Sequence, residues 1–124
     1  MEIKQLNGKG ESDYDYKNDI LFFKTSEREY AKSIELDNLV IDIDTEGFIV
    51  GIQLFGASHF LALDKATLMK IQNWEFKTSV HDGRIEIRLT FQIVQRNKII
   101  EKNPIIVQPT SEPLPDSEMI CEVE

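Results

Sequence analysis

Residues 38–59 read NLVIDIDTEGFIVGIQLFGASH, and this stretch decides the fold. Leu39, Ile41 and Ile43 alternate with Val40 and Asp42; beyond Asp44-Thr45-Glu46-Gly47, Phe48, Val50, Ile52 and Leu54 alternate in the same way. A period of two marks strands with one buried face, so the run is a β-hairpin. For a single apolar face, odd positions of the first strand must lie beside even positions of the second. That parity calls for an even-numbered loop. Asp44 to Gly47 supplies one: four residues built on a type I turn, with Gly47 taking the positive φ at its end. A three-residue loop would put Asp42 and Asp44 on the face of Val50 and Ile52. It is rejected because burying unpaired carboxylates is costly. Asp42, Asp44 and Gln53 therefore point away from the main apolar face. Gly51, in mid-strand, marks close approach by another element.

Downstream, Ala57 to Gln72 is helical, with Ser58 as a first cap and Asp64 as a second. The segment is one helix broken near Asp64, or two short pieces, laying Phe60, Leu61, Leu63, Leu68 and Ile71 on the sheet. A second hairpin follows. Trp74, Phe76, Thr78 and Val80 share a face, as do Ile85, Ile87, Leu89, Phe91 and Ile93, around an Asp82-Gly83 type I′ turn. The turn pairs Val80 with Ile85, Thr78 with Ile87, Phe76 with Leu89 and Trp74 with Phe91, and sets His81 by Arg84 and Ser79 by Glu86. Arg96-Asn97-Lys98 turns into Ile99–Gln108, where Pro104 makes an edge or broken strand. Upstream, Tyr14–Thr25 is a strand pair or bent strand with a turn at Lys17-Asn18. Glu27–Lys32 reads as a loop and Ser33–Leu36 as the start of another strand. Residues 1–12 read as a loose polar lead-in.

The fold class expected is therefore α+β: predominantly antiparallel β-sheet, two meanders or hairpins linked by one helix packed on the sheet. Residues 1–108 form one β-rich unit. Residues 109–124, with Pro109, Pro113 and Pro115, read as an acidic flexible tail. Its last residues, Met119 to Val123, dock at most transiently on a sheet edge.

The formal net charge is −8. Glu112, Asp116, Glu118, Glu122 and Glu124 lie in the tail, unaccompanied by any Lys or Arg, and carry most of it. A mildly acidic body without a basic stripe argues against direct nucleic-acid binding and against an anionic membrane surface. One cysteine, Cys121, forms no intramolecular disulfide and reads as a tolerated surface thiol. The opening residues lack the apolar core of a signal peptide, and no apolar run reaches membrane-spanning length. The expected location is cytoplasmic.

Tyr14 and Asp15 are followed by Asp19, Leu21 and Phe23; later come Val40, Asp42, Asp44, Gly47, Val50, Gly51, Ile52, Leu54, Ala57 and Ser58. In order and spacing these two blocks resemble the domain-of-unknown-function family 2283, with a family-like core over 14–58 and an extra meander over 73–108. Gln53 stands where the family usually has Glu, and Gly56 where Asp or Asn is common. The resemblance implies a small β-rich protein without an assigned activity.

Asp42-x-Asp44-x-Glu46-Gly47 also resembles the opening of an EF-hand loop. The last ligand position falls on Gln53, which cannot supply a bidentate carboxylate, and the flanks are strands. A glycine-closed turn with exposed acids is the plainer reading. Asp42, Asp44 and Glu46 remain the metal candidates, for calcium or magnesium; no other cofactor is expected. Ser58-His59 does not make a nucleophile–base pair, since sequence neighbours seldom aim their side chains at each other. Two histidines and one cysteine make no zinc site, and no catalytic residue is assigned. Trp74, Phe76 and Phe91 are core aromatics. Ile49, Phe55 and Val94 fall on a second apolar face that calls for a cover, most cheaply from a second copy. The expectation is a non-enzymatic protein-interaction or self-association module. A divalent-ion regulator is the alternative, and a small hydrolase ranks last.

Overall fold

The computed structural model describes residues 3–110 and 112–123. It contains strands β1 (Lys4–Asp15), β2 (Ile20–Thr25), β3 (Tyr30–Leu36), β4 (Leu39–Asp44) and β5 (Ile49–Phe55). Two short helices follow, α1 (Ala57–Leu61) and α2 (Lys65–Lys70). Then come β6 (Trp74–His81), β7 (Arg84–Gln95), β8 (Lys98–Lys102), β9 (Ile105–Pro109) and β10 (Ser117–Val123). The strands form a sheet in the order β3-β4-β5-β2-β1-β10-β6-β7-β8, with β9 also pairing β7. Pairing is antiparallel except between β1 and β10, which run parallel.

β1 is the seam of this sheet. Lys4–Gly10 pairs with β10, and Gly10–Asp15 pairs with β2. At Gly10 the chain passes from one partner to the other, where a Cβ would lie 2.3 Å from the Lys24 carbonyl oxygen and 2.7 Å from Cys121 Sγ. Bending at this seam brings the two halves of the sheet face to face, as strands do when they pass between packed layers. Phe23 of β2 stacks edge-on against Trp74 of β6 at 5.1 Å and lies 5.3 Å from Phe76. Thr78 Oγ1 donates to the Ile49 carbonyl across the same core, at 3.4 Å. Ile41, Leu54, Phe76, Ile87 and Cys121 are fully buried there. Burial of each large apolar side chain contributes about 2 kcal/mol.

The second hairpin pairs as expected: Val80 with Ile85, Thr78 with Ile87, Phe76 with Leu89 and Trp74 with Phe91. Asp82 and Gly83 both have positive φ, as a type I′ turn requires. Pro104 breaks the following strand into β8 and β9, both lying along the same edge of β7.

Four expectations are corrected. The polar lead-in is largely strand β1, held as a sheet element although its inward positions include Gly8 and Gly10. The tail is not a flexible appendage: residues 117–123 form β10, inserted between β1 and β6 with Ser117, Met119, Cys121 and Val123 buried. Cys121 is therefore a core thiol and not a surface one. Glu124 of that tail, Ser111, and the first residues of the lead-in, Met1 and Glu2, lie outside the described residues. The single linking helix is two helices of one or two turns. Leu68 is buried and Leu61, Leu63 and Ile71 pack on the core, whereas Phe60 is exposed.

The first hairpin departs most instructively. Its end closes with Asp44 opposite Phe48, the Asp44 N–H donating to the Phe48 carbonyl at 3.0 Å. That is the rejected three-residue loop. Ile43 pairs with Ile49, but Asp42 pairs with Gly51, so Val50 is the extra residue of a β-bulge. The bulge restores odd-to-even pairing, with Ile41 beside Ile52 and Leu39 beside Leu54. Gly47 has φ +90°, the positive value expected of it. Gly51 makes the close approach expected of it, its hydrogens facing the Asp42 carboxylate.

Candidate functional site

Asp44 is buried, contrary to the expectation that the turn acids are exposed. Its carboxylate is fully occupied. Oδ1 accepts from the N–H groups of Glu46 and Phe48, each at 2.9 Å, which fixes the turn. Oδ2 accepts from Arg28 Nε at 2.8 Å and pairs with Nη2 at 2.7 Å. Arg28 also pairs with Glu46, and its guanidinium lies over the Phe48 ring at 5.6 Å. These hydrogen bonds to Asp44 and Glu46 raise the Arg28 pKa further above its ordinary range. The three-residue loop failed on the cost of an unpaired carboxylate; Arg28 removes that cost. It sits 16 residues upstream, beyond any local pattern.

Of the metal candidates, Asp44 and Glu46 are brought together around Arg28, and Asp42 is not with them. Asp42 Oδ1 accepts instead from Ser33 Oγ of β3 at 2.7 Å. Among the described residues no group of three His, Cys, Asp or Glu side chains is arranged to hold a metal ion.

A second polar knot joins segments far apart in sequence. Asp19, in the β1–β2 turn, accepts from Tyr14 Oη at 2.5 Å and from the Ser58 N–H at 3.0 Å, both on Oδ1. Its Oδ2 accepts from Ser58 Oγ at 2.7 Å. The Ala57 N–H donates to the Asp19 carbonyl at 3.1 Å, so α1 is pinned to the β1–β2 turn by both side chain and backbone. Partial burial pushes the Asp19 carboxyl up, but the Tyr14 and Ser58 hydrogen bonds outweigh it, and the pKa is lowered. Burial and the bond to Asp19 push the Tyr14 phenol up. Ser58 is thus the donor to Asp19; the N-cap of α1 is Gly56, which makes no side-chain cap. His59 is exposed, and His81 lies by Asp116 at the β6–β7 turn, 3.6 Å away. Neither histidine is placed to take a proton from Ser58. Asp64 caps α2 as expected, accepting from the Thr67 N–H at 2.7 Å.

The outer face of β7, β8 and β9 is largely polar, carrying Arg84, Glu86, Arg88, Gln92 and Glu101, with two exposed apolar spots. Val94 and Ile99 face each other across β7 and β8 and are 73% and 72% exposed. Ile105 and Val107 of β9 are exposed farther along the same edge, opposite Arg88 and Glu86. Phe55 is exposed too, but Ile49, assigned to an uncovered face from sequence, is buried in the core. No helix among the described residues is long and apolar enough to cross a membrane.

The model of a family described as "Protein of unknown function (DUF2283)" matches residues 12–58. A Methanosarcina mazei protein provisionally named a hypoxanthine phosphoribosyltransferase is 33% identical over 90 residues, which cover 73% of each chain. The chain belongs to the DUF2283 family. An uncharacterized protein of Methanocaldococcus jannaschii is 30% identical over 95 residues, 76% of this chain and 82% of that one. No solved structure gives a significant match. The DUF2283 segment ends on Ser58 and contains both polar knots: Tyr14–Asp19–Ser58 and Arg28–Asp44–Glu46. The two separated blocks of the family pattern meet in space at Asp19. Val94, Ile99, Ile105 and Val107 lie outside the matched segment.

Proposed function

We propose that this protein is a non-enzymatic interaction module that binds another polypeptide through the exposed apolar pair on β7 and β8. The observation that carries the reading is the directly opposed pair Val94 and Ile99, 73% and 72% exposed. Single exposed apolar residues are ordinary, whereas two large ones directly opposed across neighbouring strands at a sheet edge offer a contact surface.

The provisional name of the Methanosarcina relative would bring phosphoribosyl chemistry to this chain. Phosphate groups are commonly held at helix N-termini. In this fold Asp64 already accepts from the Thr67 N–H in the first turn of α2, and Asp19 from the Ser58 N–H in the first turn of α1. Both turns present a carboxylate where a phosphate would go. The ion-binding alternative meets a similar competitor, since Arg28 engages two of its three carboxylates.

The test is a Val94→Glu, Ile99→Glu double variant, compared with the unaltered chain in quantitative co-purification and light scattering. Both positions are solvent-facing, so the fold is expected to persist. The reading expects an associated polypeptide, or a mass above the monomer, that the double variant loses. Equal mass and equal associated protein in both forms overturns it.

A further inference from the structure

We infer that the groove beside Val94 and Ile99 receives the carboxyl-terminal end of another polypeptide, added as a short strand along β7; this rests on the interaction reading above and names the chemistry of the partner. The groove has a volume of about 240 Å³. Lys70 at the end of α2, with Gln72 and Asn73 after it, forms one wall, and Gln92, Val94 and Ile99 form the other. It exists because β6 stops short of β7. β6 begins at Trp74, opposite Phe91, whereas β7 runs on to Gln95. Past Phe91, no described strand lies along the β6 side of β7.

Hydrogen-bond alternation leaves a main-chain donor and acceptor facing that gap. The Leu89 N–H donates to the Pro104 carbonyl, on the β8–β9 side. Antiparallel bonds alternate, so odd-numbered residues of β7 turn their main-chain groups toward β8 and β9, and even-numbered residues turn theirs toward β6. The β7–β8 turn agrees. Arg96 and Asn97 both have positive φ, and such a two-residue turn closes on a hydrogen-bonded pair, here Gln95 with Lys98. Val94 therefore points its N–H and C=O to the β6 side, two residues past the last position paired there. Among the described residues no main-chain group bonds to it. Its side chain is exposed beside Ile99. An open donor and acceptor next to exposed apolar side chains is how a sheet accepts an extended peptide.

The lining selects which part of a peptide enters. Among the described residues no carboxylate lines the groove, and Lys70 is its one charged group, in a chain of net charge −8. Lys70 pairs with no described carboxylate. Glu101 lies opposite Gln92 on β8 and is outweighed by Arg96, Lys98 and Lys102 on the same hairpin. Gln72, Asn73 and Gln92 carry primary amides, which both donate and accept and so match the groups of a peptide main chain. The volume lies below the roughly 300–1,000 Å³ of sites that enclose a drug-sized ligand, so the groove suits the end of a chain. An amino-terminal end would set its ammonium against Lys70. A carboxyl-terminal end brings an apolar side chain to Val94 and Ile99 and its carboxylate to Lys70, a recurring mode of peptide capture.

Two-dimensional NMR titration of the full chain tests this with three probes: acetyl-Gly-Ser-Val-Leu as the free acid, the same peptide as its carboxyl-terminal amide, and acetyl-Gly-Ser-Asp-Leu amide, whose carboxylate is on a side chain. The free acid is expected to shift the Gln92, Val94 and Ile99 resonances and to slow hydrogen exchange at the Val94 amide. Amidation of the probe, its side-chain-carboxylate version and Lys70→Met are each expected to weaken binding about fivefold, the loss of one exposed ion pair. Lys70→Arg keeps the charge and is expected to retain binding. Free acid that fails to bind, or that binds no better than either amide, overturns the inference. So does undiminished binding to Lys70→Met, or a bound peptide that leaves Val94 exchange unchanged. Any of these results, together with an associated polypeptide lost in Val94→Glu, Ile99→Glu, sinks the carboxyl-terminal end alone and leaves the interaction reading standing.

Discussion

Arg28 neutralises a carboxylate whose side chain is only 1% exposed, and the whole first hairpin turns on that contact. Removing it leaves Asp44 charged and buried without a counterion. Arg28→Ala is therefore expected to destabilise the fold by about 3 kcal/mol, measured by urea unfolding, because breaking a buried pair costs more than the pair contributes. The Asp19 knot makes a pH prediction. Its carboxyl titrates lower in the folded chain than in the unfolded one, so the stability it confers is present above the ordinary aspartate range near about 4 and is lost as pH falls through the folded value. Asp19→Asn is expected to shrink the stability gap between pH 7 and pH 3, read from urea midpoints. Tyr14 works at the other end. Its phenol is held protonated in the fold, so its contribution fades as pH climbs past about 10. Neither knot was legible in the sequence as a contact. Asp19 and Ser58 are 39 residues apart and Arg28 and Asp44 16 apart; only the positions of Asp19, Asp44 and Ser58 in the family pattern marked them as a set.

Among the elements, the β6–β7 hairpin was readable pair by pair, because strict alternation and an Asp-Gly turn leave one register. Gly83 has φ +77°, which a residue with a Cβ adopts only under strain. Gly83→Val is expected to lower stability by about 1 kcal/mol in thermal or urea unfolding, with the spectrum of the fold retained. The β4–β5 hairpin was readable as a hairpin but not in its loop, because the bulge at Val50 and the partner of Asp44 both lie outside local pattern. β1 was missed for a different reason. Its inward positions are Leu6, Gly8 and Gly10, all half-buried, so an inward face exists with almost no apolar side chains to announce it. β10 does alternate, with Met119, Cys121 and Val123 turned inward, but the prolines and acids around it dominated the composition. The helices were placed correctly by Asp64, while the apolar residues of α1 overstated how much of it packs.

For the molecule as a whole, β10 is the element on which the two halves of the sheet depend. It pairs with β1 on one side and β6 on the other, and buries Met119, Cys121 and Val123 between the layers. Deleting residues from Ser117 onward is expected to abolish cooperative unfolding, as seen by calorimetry; a truncated chain that still melts sharply would contradict this arrangement. Cys121 reports on the same event. Burial pushes its thiol up and removes it from solvent, so a thiol reagent is expected to react only as fast as the sheet opens, with slowing in proportion to stability. The parallel junction also has a consequence for biosynthesis. Until β10 is in place, strands β1–β5 and β6–β9 have only separate pairings, each set with an unsatisfied border at β1 or β6. Neither ribbon closes until residues 117–123 have been made and paired, so both borders stay open to chaperones and to other chains up to that step.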